Sequence, residues 1–593
     1  MRNDIIPVIS ERSYFYIIAT LAISKAGAAY LPVDNRLPAE RIKFILDDVK
    51  PKIILYTNGT KKIINDLLLI TKDSSNSLYF NIDNHDYNID RNSIDNINEP
   101  DDTCYVLFTS GTTGQPKGVL ISHSNMYSYL RKNDSDRISM YKIIKNNNIH
   151  NILAIANFSF DFIHNEVNLS LIHGLTIVLV DDLMNGDPSL LSHYILKHHV
   201  DLINITPSRC EHFMENKEFQ FSLKNLKAII FSGEEINLKL CKNIAKLSNC
   251  KIYNGYGLTE CTVISTMIEV NLENNERLTI GKPIFNSKAY ILDPYKNMVP
   301  IGVEGEIYIG GYGVGKGYLN RKELTQEKFI PCPFNENKNS NHLQKLYRTG
   351  DLGRWTENGE IEYFGRMDFQ VKINGQRIEL EEIMNTINEI KAIEKSFIIL
   401  KKNEENKGYL VCYYLSTSDI QGKEIREYLK KKLPYHMIPN YYKRISEVPL
   451  SNSGKLNRKA LPEPSIDDIV KEQYVPPKTE IEKKLCSIYG KLLPNSTIEE
   501  IGSKSDFYEL GGDSLNSIKV LAMIEKEMNI KLNMKDIIEH PIVCDLGQYI
   551  EEFKNKNSTN QQTQSVVIKK RNAKEFPVSS QQLGVYIDSI KHL

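Results

Sequence analysis

The chain has no net charge to steer it. Lys and Arg together number 74, as do Asp and Glu, so no global field draws it toward nucleic acid or an anionic membrane. It also has no C-x-x-C pair among its nine cysteines. An odd, unpatterned set argues for reduced, buried thiols in a cytoplasmic protein. No secretory signal opens the sequence. The most apolar early run, 15-FYIIATLAISKAGAAYLPV-33, is broken by Lys25 and Pro32 and reads as a helix followed by a strand, not a membrane span. Internal repeats are absent. With 593 residues the chain is too long for one hydrophobic core.

What is present begins with alternation. From about residue 100 to 265, short β-rich runs alternate with helical stretches and glycine loops. In 226-LKAIIFSGEEINLKLCKNIAKLSNCKIYNGYG-257, Ala228 to Phe231 is an apolar run. Asn237 caps a helix carrying Leu238, Leu240, Ile244 and Leu247, and a strand restarts at Lys251. This βαβ order predicts a mainly parallel sheet covered by helices, with ligands at the carboxyl ends of its strands. Residues 281–320 and 346–375 instead alternate like antiparallel strands, as in 305-GEIYIGG-311. The stretch 462-PEPSIDDIVKEQYVPPK-478 carries four prolines and reads as a linker. Residues 479–552 read as a small helical unit, and 553-FKNKNSTNQQTQ-564 as an unstructured polar tract.

The barest stretch is 108-FTSGTTGQPKGV-119, a glycine- and hydroxyl-rich loop after an apolar strand. Backbone N–H groups in such a loop can wrap phosphate oxygens, with Ser110, Thr112 and Thr113 as further donors and Lys117 as the charge. It is not an ordinary P-loop. Counted from Gly111, the second glycine position holds Pro116, and Gly118 follows the lysine where a magnesium-binding hydroxyl belongs. By composition alone it could also be a flexible surface loop.

The string TSGTTGQPKG, with Tyr347-Arg348-Thr349-Gly350-Asp351 far downstream, resembles the adenylate-forming enzymes: acyl-CoA synthetases, luciferases and the adenylation domains of non-ribosomal peptide synthetases. The segments 25-KAGAAYLPVD-34, 254-NGYGLTE-260, 305-GEIYIGGYGVGKGYL-319, 365-GRMDFQVKINGQRIELEEI-383 and 449-PLSNSGKLNRKAL-461 follow in that family's order. The resemblance implies an α/β large lobe over 1–366 and an α+β small lobe over 367–462, the acyl-CoA synthetase/luciferase-like fold. It also implies a linker at 463–478, a four-helix-bundle carrier domain at 479–552 and a disordered linker at 553–573. The start of a truncated condensation-type domain would occupy 574–593, and the large lobe would lack a few dozen residues before 5-IIPVIS-10.

The same resemblance assigns roles. Thr109, Ser110, Gly111, Thr112, Thr113, Gly114 and Lys117 would close over the β- and γ-phosphates of ATP. Tyr256, next to Gly255, would stack on adenine; alone it reads as a strand-end core tyrosine. Thr259 would bond the α-phosphate and Glu260 would hold Mg²⁺ through one carboxylate. Asp351 would accept from the ribose hydroxyls, a task for an acceptor-only group, and Arg366 would contact ribose or phosphate. Lys455 would bridge the substrate carboxylate and the α-phosphate. Asp368 would be the hinge about which the small lobe turns, bringing a second face around Gly375 to the site for thiol transfer. Asn374 and Glu381 stand there where arginine and glycine are common.

Asp161, in 158-FSFDFIHNEV-167, resembles the aspartate that neutralises the α-ammonium in the peptide-synthetase branch; locally it could equally be a helix N-cap. The pocket carried over comprises Asp161, Phe162, Asn165, Asn204, Ile230, Ser232, Gly255, Val263 and Ile264, closed by Lys455. It leans toward threonine, with serine or asparagine behind, although Asn165 and Gly255 depart from threonine-type pockets. In 507-FYELGGDSLNSIKVLAMIEK-526, Ser514 resembles the carrier serine that bears 4′-phosphopantetheine, and Leu515, Ile518, Leu521 and Ile524 form the stripe of the following helix. The expected function is amino-acid activation by ATP-Mg and loading onto the chain's own carrier in secondary-metabolite peptide synthesis. A phosphopantetheinyl transferase and neighbouring synthetase modules would be partners. The competing readings are a catalytically silent truncated fragment acting as a carrier or docking unit, and an acyl- or aryl-acid ligase loading a carrier, which Asp161 disfavours.

Overall fold

The computed structural model describes residues 2–71, 77–87, 94–111, 115–133, 135–272, 278–334, 345–367, 370–373, 376–402, 408–449, 460–465, 468, 470, 475–492, 501–507, 510, 514–528, 530, 532, 536–537 and 540–559. The chain divides into two compact units, Met1–Glu472 and Gln473–Leu593.

In the first unit, two seven-stranded sheets form the frame. One has the order Gly317–Tyr318, Lys117–Ser122, Thr103–Thr109, Ala29–Val33, Ile5–Ile9, Ile53–Tyr56, Leu78–Asn81. Its last five strands run parallel and its first two pairings are antiparallel. The other runs Lys282–Pro283, Thr266–Glu269, Lys251–Tyr256, Ala228–Phe231, Leu202–Ile205, Asn151–Ala154, Thr176–Leu179, with parallel pairing from Lys251–Tyr256 onward. Strands buried on both faces need apolar residues at every position. Ala29–Val33, Leu202–Ile205 and Ala228–Phe231 are buried throughout, but Asn204 interrupts that run.

The βαβ reading of 226–257 is found as expected: strand Ala228–Phe231, helix Leu238–Ala245, strand Lys251–Tyr256. Asn237 Oδ1 accepts from Leu240 N at 2.7 Å, the N-cap bond. The early apolar run is helix Tyr14–Lys25 followed by strand Ala29–Val33.

The largest apolar cluster lies between the two sheets. Val8, Tyr30, Tyr105 and Val119 enter from one side, and Ile152, Leu202, Ala228 and Ile230 from the other. The outer faces are covered by helices, including Ala39–Val49 and Lys61–Thr71 on the first sheet and Pro188–Lys197 and Leu238–Ala245 on the second. The two sheets are stapled by Arg12, whose guanidinium donates to the carbonyls of Val180 at 3.1 Å, Ala154 at 2.5 Å and Ala156.

The antiparallel texture after residue 281 is a five-stranded sheet of Ser287–Leu292, Gly305–Gly311, Lys345–Trp355, Phe329–Pro331 and Ile361–Arg366. Beyond it, strands Gln370–Ile373 and Gln376–Glu379 pair as a hairpin. A separate lobe core follows, built on the three-stranded sheet Ile393–Lys402, Gly408–Ser416, Tyr441–Arg444 and the helices Leu380–Asn388 and Gly422–Lys432.

The second unit contains helices Glu480–Leu492, Ser514–Met528 and Val543–Thr559 among its described residues. Leu485, Ile488, Tyr489, Phe507, Val520, Ile524, Leu546 and Ile550 form its core. One boundary needs correction: the last helix continues to Thr559, through residues that their polar composition assigned to a disordered linker from 553. Its apolar residues Tyr549 and Phe553 pack on the unit's core, and an established helix propagates more easily than it nucleates. The condensation-type reading of 574–593 lies outside the described residues. Among the described residues, no helix is long and apolar enough to cross a membrane.

Candidate active site

Thr109 pairs opposite Lys117 across antiparallel strands, so the sheet pins both ends of the glycine loop. Its turn is tight. A Cβ on Gly111 would lie 2.0 Å from the Gln115 carbonyl oxygen, so no side chain fits. Thr112, Thr113 and Gly114 lie outside the described residues. Gly111 N–H donates to Glu382 Oε2 at 3.2 Å, and Ser110 Oγ donates to the Arg377 carbonyl at 3.1 Å. The loop therefore already presents a backbone donor to an anionic oxygen. Thr109 Oγ1 is buried without a hydrogen-bond partner among the described residues. Lys117 is buried, with its ammonium 4.9 Å from the centre of the Tyr318 ring. Burial, then the nearby Arg377, lowers its pKa to about 8.

Thr259 and Glu260 occupy the 3₁₀ turn Thr259–Cys261 after strand Lys251–Tyr256. Glu260 is 0% exposed, which removes the reading of a solvated helix-start glutamate. Arg377 Nη1 reaches both its oxygens at 3.1 Å, and Tyr318 Oη donates at 2.9 Å. Burial would raise this carboxyl, but Arg377 and Lys117 hold it down at about 2, so it is a carboxylate. Directly after the turn, Thr262 and Val263 take φ of 59° and 70°. A left-handed, β-branched valine is strained. The bond from Thr262 Oγ1 to the Gly313 carbonyl, 2.7 Å, helps hold this turn, which carries Val263 and Ile264 into the core between the sheets.

Tyr256, at the strand end, donates to Asp351 Oδ2 at 2.5 Å. Asp351 is 2% exposed and also accepts from Tyr363 Oη at 3.4 Å and Arg366 Nη1 at 3.3 Å. Burial, then Asp351, raises the Tyr256 hydroxyl well above its ordinary pKa, so it remains a donor. The structure thus brings Tyr256, Asp351 and Arg366 together. Asp368 and Lys455 lie outside the described residues, as do Asn374 and Gly375.

Asp161 is buried and accepts from Thr259 Oγ1 at 2.9 Å. Burial pushes its carboxyl up to about 6, against the pull of Thr259 and of the Lys372 ammonium. Around it, Phe162, Ile230, Val263 and Ile264 belong to the cluster between the sheets. Ile230 lies opposite Asn204 in the parallel register. Asn165, fully buried in the π-helical turn His164–Asn168, accepts from Tyr129 Oη at 2.8 Å. Ser232 follows strand Ala228–Phe231 and is 1% exposed. At Gly255 a Cβ would come within 3.0 Å of Ile264 Cδ1.

Arg377, Tyr318, Glu382 and Tyr129 were not singled out from the sequence. Arg377 sits on the hairpin strand Gln376–Glu379 and bonds both Glu260 and Glu379, the latter at 3.4 Å. Glu382, on helix Leu380–Asn388, is 0% exposed and also pairs with Arg41 of helix Ala39–Val49. The quoted motif 365–383 contains Arg377 and Glu382, but nothing local says which surface they meet. In the second unit, Ser514 opens helix Ser514–Met528; its side chain lies outside the described residues.

Residues 1–319 match the family described as AMP-binding enzyme, and residues 483–550 the phosphopantetheine attachment site. Bacitracin synthase 2 of Bacillus licheniformis is 33% identical over 576 residues, covering 95% of this chain and 21% of that protein. Gramicidin S synthase 2 of Aneurinibacillus migulanus is 32% identical over 596 residues, 99% of this chain and 12% of that one. The chain therefore spans about a fifth or less of these relatives. Among solved structures, a four-domain nonribosomal peptide synthetase bound to AMP and glycine is 27% identical with a TM-score of 0.52, covering 93% of this chain and 39% of that one. A synthetase protein containing adenylation and carrier domains, bound to a vinylsulfonamide inhibitor, shares the fold at 22% identity and a TM-score of 0.69, covering 93% and 88%. The two-lobed adenylate-forming architecture followed by a carrier domain is the one described above, and the chain belongs to the AMP-binding enzyme family.

Proposed function

We propose that the chain joins an amino acid to ATP, forming aminoacyl-AMP and pyrophosphate, and then loads the aminoacyl group onto its own carrier domain. The observation that carries this reading is the dipeptide Thr259-Glu260. Thr259 bonds Asp161, a buried carboxylate suited to an α-ammonium, while Glu260 lies among Lys117, Arg377 and Tyr318 beside the glycine loop. An amino group and a polyphosphate would thus be held on either side of one turn.

The residues fit the nucleotide. Gly111 N–H already binds a carboxylate oxygen, and the Lys117 ammonium lies close by, so the loop is built for anions. Asp351 supplies acceptors for ribose hydroxyls and Tyr256 a ring for adenine. Magnesium would need Arg377 to release the Glu260 oxygens it holds in this arrangement. No group of three or more His, Cys, Asp or Glu among the described residues could hold a metal, so the ion would rest on the ionised Glu260 and the phosphates, as Mg²⁺ does when it keeps most of its water. When bound, it neutralises charge on the phosphates.

Two anions must meet in the first step, so catalysis is positioning and electrostatics. Asp161 anchors the ammonium and thereby aims the carboxylate, Thr259 orients beside it, and the loop holds the leaving phosphates. Lys455 would bridge the carboxylate and the α-phosphate, with Asp368 as the hinge that moves the small lobe between steps. Ser514 would carry phosphopantetheine, which supplies a thiol on a flexible arm and raises the effective concentration of the acyl group at the next site, to about mM. A phosphopantetheinyl transferase and neighbouring modules would be the partners, with domain limits at 366, 462 and 478.

The test is ATP–pyrophosphate exchange across an amino-acid panel, followed by intact-mass analysis of the chain after treatment with a phosphopantetheinyl transferase and coenzyme A. Exchange with one or a few amino acids, and a mass gain lost in Ser514→Ala, are expected. Exchange only with acids lacking an amino group, or none from a folded chain, would overturn the reading.

A further inference from the structure

Two asparagines of the expected amino-acid pocket carry buried polar atoms that have no hydrogen-bond partner among the described residues. Asn204 is 2% exposed, and neither its Oδ1 nor its Nδ2 has a hydrogen-bond partner among the described residues. The alternation of its strand fixes where the amide goes. Ile203 and Ile205 face the cluster under the outer helices, whereas Leu202 faces the cluster between the sheets. Asn204 shares the Leu202 face and lies opposite Ile230. Asn165 is 0% exposed; Tyr129 occupies its Oδ1, and its Nδ2 has no partner among the described residues. Phe162, Val263 and Ile264 are among the apolar residues of that cluster. Buried amides without partners are costly. A strand otherwise buried and apolar that keeps one asparagine is arranged for something that enters.

We infer that the activated amino acid carries a primary carboxamide side chain, asparagine or glutamine. This rests on the amino-acid activation proposed above and goes further by naming the side chain. A carboxamide sets a carbonyl acceptor beside an N–H donor, the complement of the Asn204 amide, so the two join through a pair of hydrogen bonds. The second lone pair of that carbonyl remains for the Asn165 N–H. Other side chains pair these atoms less well. A carboxylate offers no donor to Asn204 Oδ1. An ammonium or guanidinium offers no acceptor to either Nδ2. One hydroxyl matches the three atoms by count, but a single oxygen must bend both of its bonds to one amide where a carboxamide meets it with two straight ones, and an alkyl group serves none. Asp161 supplies no counter-charge for a charged side chain, because the α-ammonium takes it. This differs from the order drawn from the sequence, threonine first with serine or asparagine behind.

The full chain is assayed by amino-acid-dependent ATP–pyrophosphate exchange and by calorimetric binding of the non-reactive aminoacyl-sulfamoyl adenosines of Asn, Gln, Thr, Asp and Leu. Asparagine or glutamine should lead threonine, aspartate and leucine by at least about 10²-fold in both readouts, since a site built to hydrogen-bond rejects analogues that cannot. The near-isosteric Asn204→Leu should lose that lead and gain for leucine or methionine; Asn165→Leu, at a separate element, should narrow it by about tenfold or more. If threonine, serine or an apolar amino acid leads in the unmutated chain, the carboxamide inference falls while amino-acid activation stands. If no amino acid drives exchange and no analogue binds a folded chain, both fall.

Discussion

Arg377 Nη1 lies 3.1 Å from each carboxylate oxygen of Glu260, joining the hairpin that follows Arg366 to the turn at the heart of the large lobe. Glu379 on the same strand, and Glu382 with its bonds to Arg41 and Gly111 N–H, extend the contact. In this arrangement both oxygens that would ligate magnesium are taken by a guanidinium. The small-lobe surface found at the glycine loop is strand Gln376–Glu379 with the start of helix Leu380–Asn388.

Arg377→Ala leaves Glu260 fully buried without its principal cation in this lobe orientation. Breaking one side of a buried pair costs about 3–5 kcal/mol. Transfer of the aminoacyl group to the holo carrier should therefore slow by roughly 10²-fold or more, while ATP–pyrophosphate exchange changes by less than about threefold. Single-turnover loading of the carrier, measured beside exchange, checks this. Equal losses would mean that Arg377 serves both steps.

Lys455→Ala should show the opposite asymmetry. Exchange should drop by at least roughly 10²–10³-fold, the loss expected for one preorganised electrostatic donor. Transfer from presynthesised aminoacyl-AMP should fall far less, and rapid-quench measurement of the two half-reactions decides.

Amino-acid affinity should depend on pH through Asp161. Burial raises its carboxyl to about 6, and an α-ammonium binds the ionised form. Affinity is then full above pH about 6 and falls roughly tenfold per unit below it, by proton linkage. Titration calorimetry from pH 5 to 8 checks the slope. Asp161→Asn should abolish the dependence and weaken binding throughout.

Arg12→Met should destabilise the first unit by about 2–4 kcal/mol. The change leaves the carbonyls of Ala154, Ala156 and Val180 without their donor. It also removes the cation that opposes burial at Glu166, whose carboxyl is already raised to about 7. A lower urea midpoint at unchanged m is the expected signature.

Much of the site was legible because it is local. The loop 108–119, the strand and turn of 254-NGYGLTE-260 and the N-cap at Asn237 are short-range patterns whose residues fold beside one another. Asp161 was open between helix cap and ligand group. Its side chain bonds Thr259, 98 residues away, a partner that no local pattern names. Glu260 would read as solvated by itself, and only burial shows otherwise. Arg377 carries no local signal of its role, because its partner is 117 residues distant.

From the order of residues alone came the identity of the chemistry: which loop can hold an anion, which carboxylates and lysines are available, and where helices and strands start, since steric preference and periodicity act between near neighbours. The fold decided which of those charges face one another, that the Asn204 amide and Asn165 Nδ2 have no partner among the described residues, and that Glu260 is ionised while burial raises the Asp161 carboxyl to about 6. Those outcomes depend on distance through space and on exclusion of water, which a linear sequence does not carry.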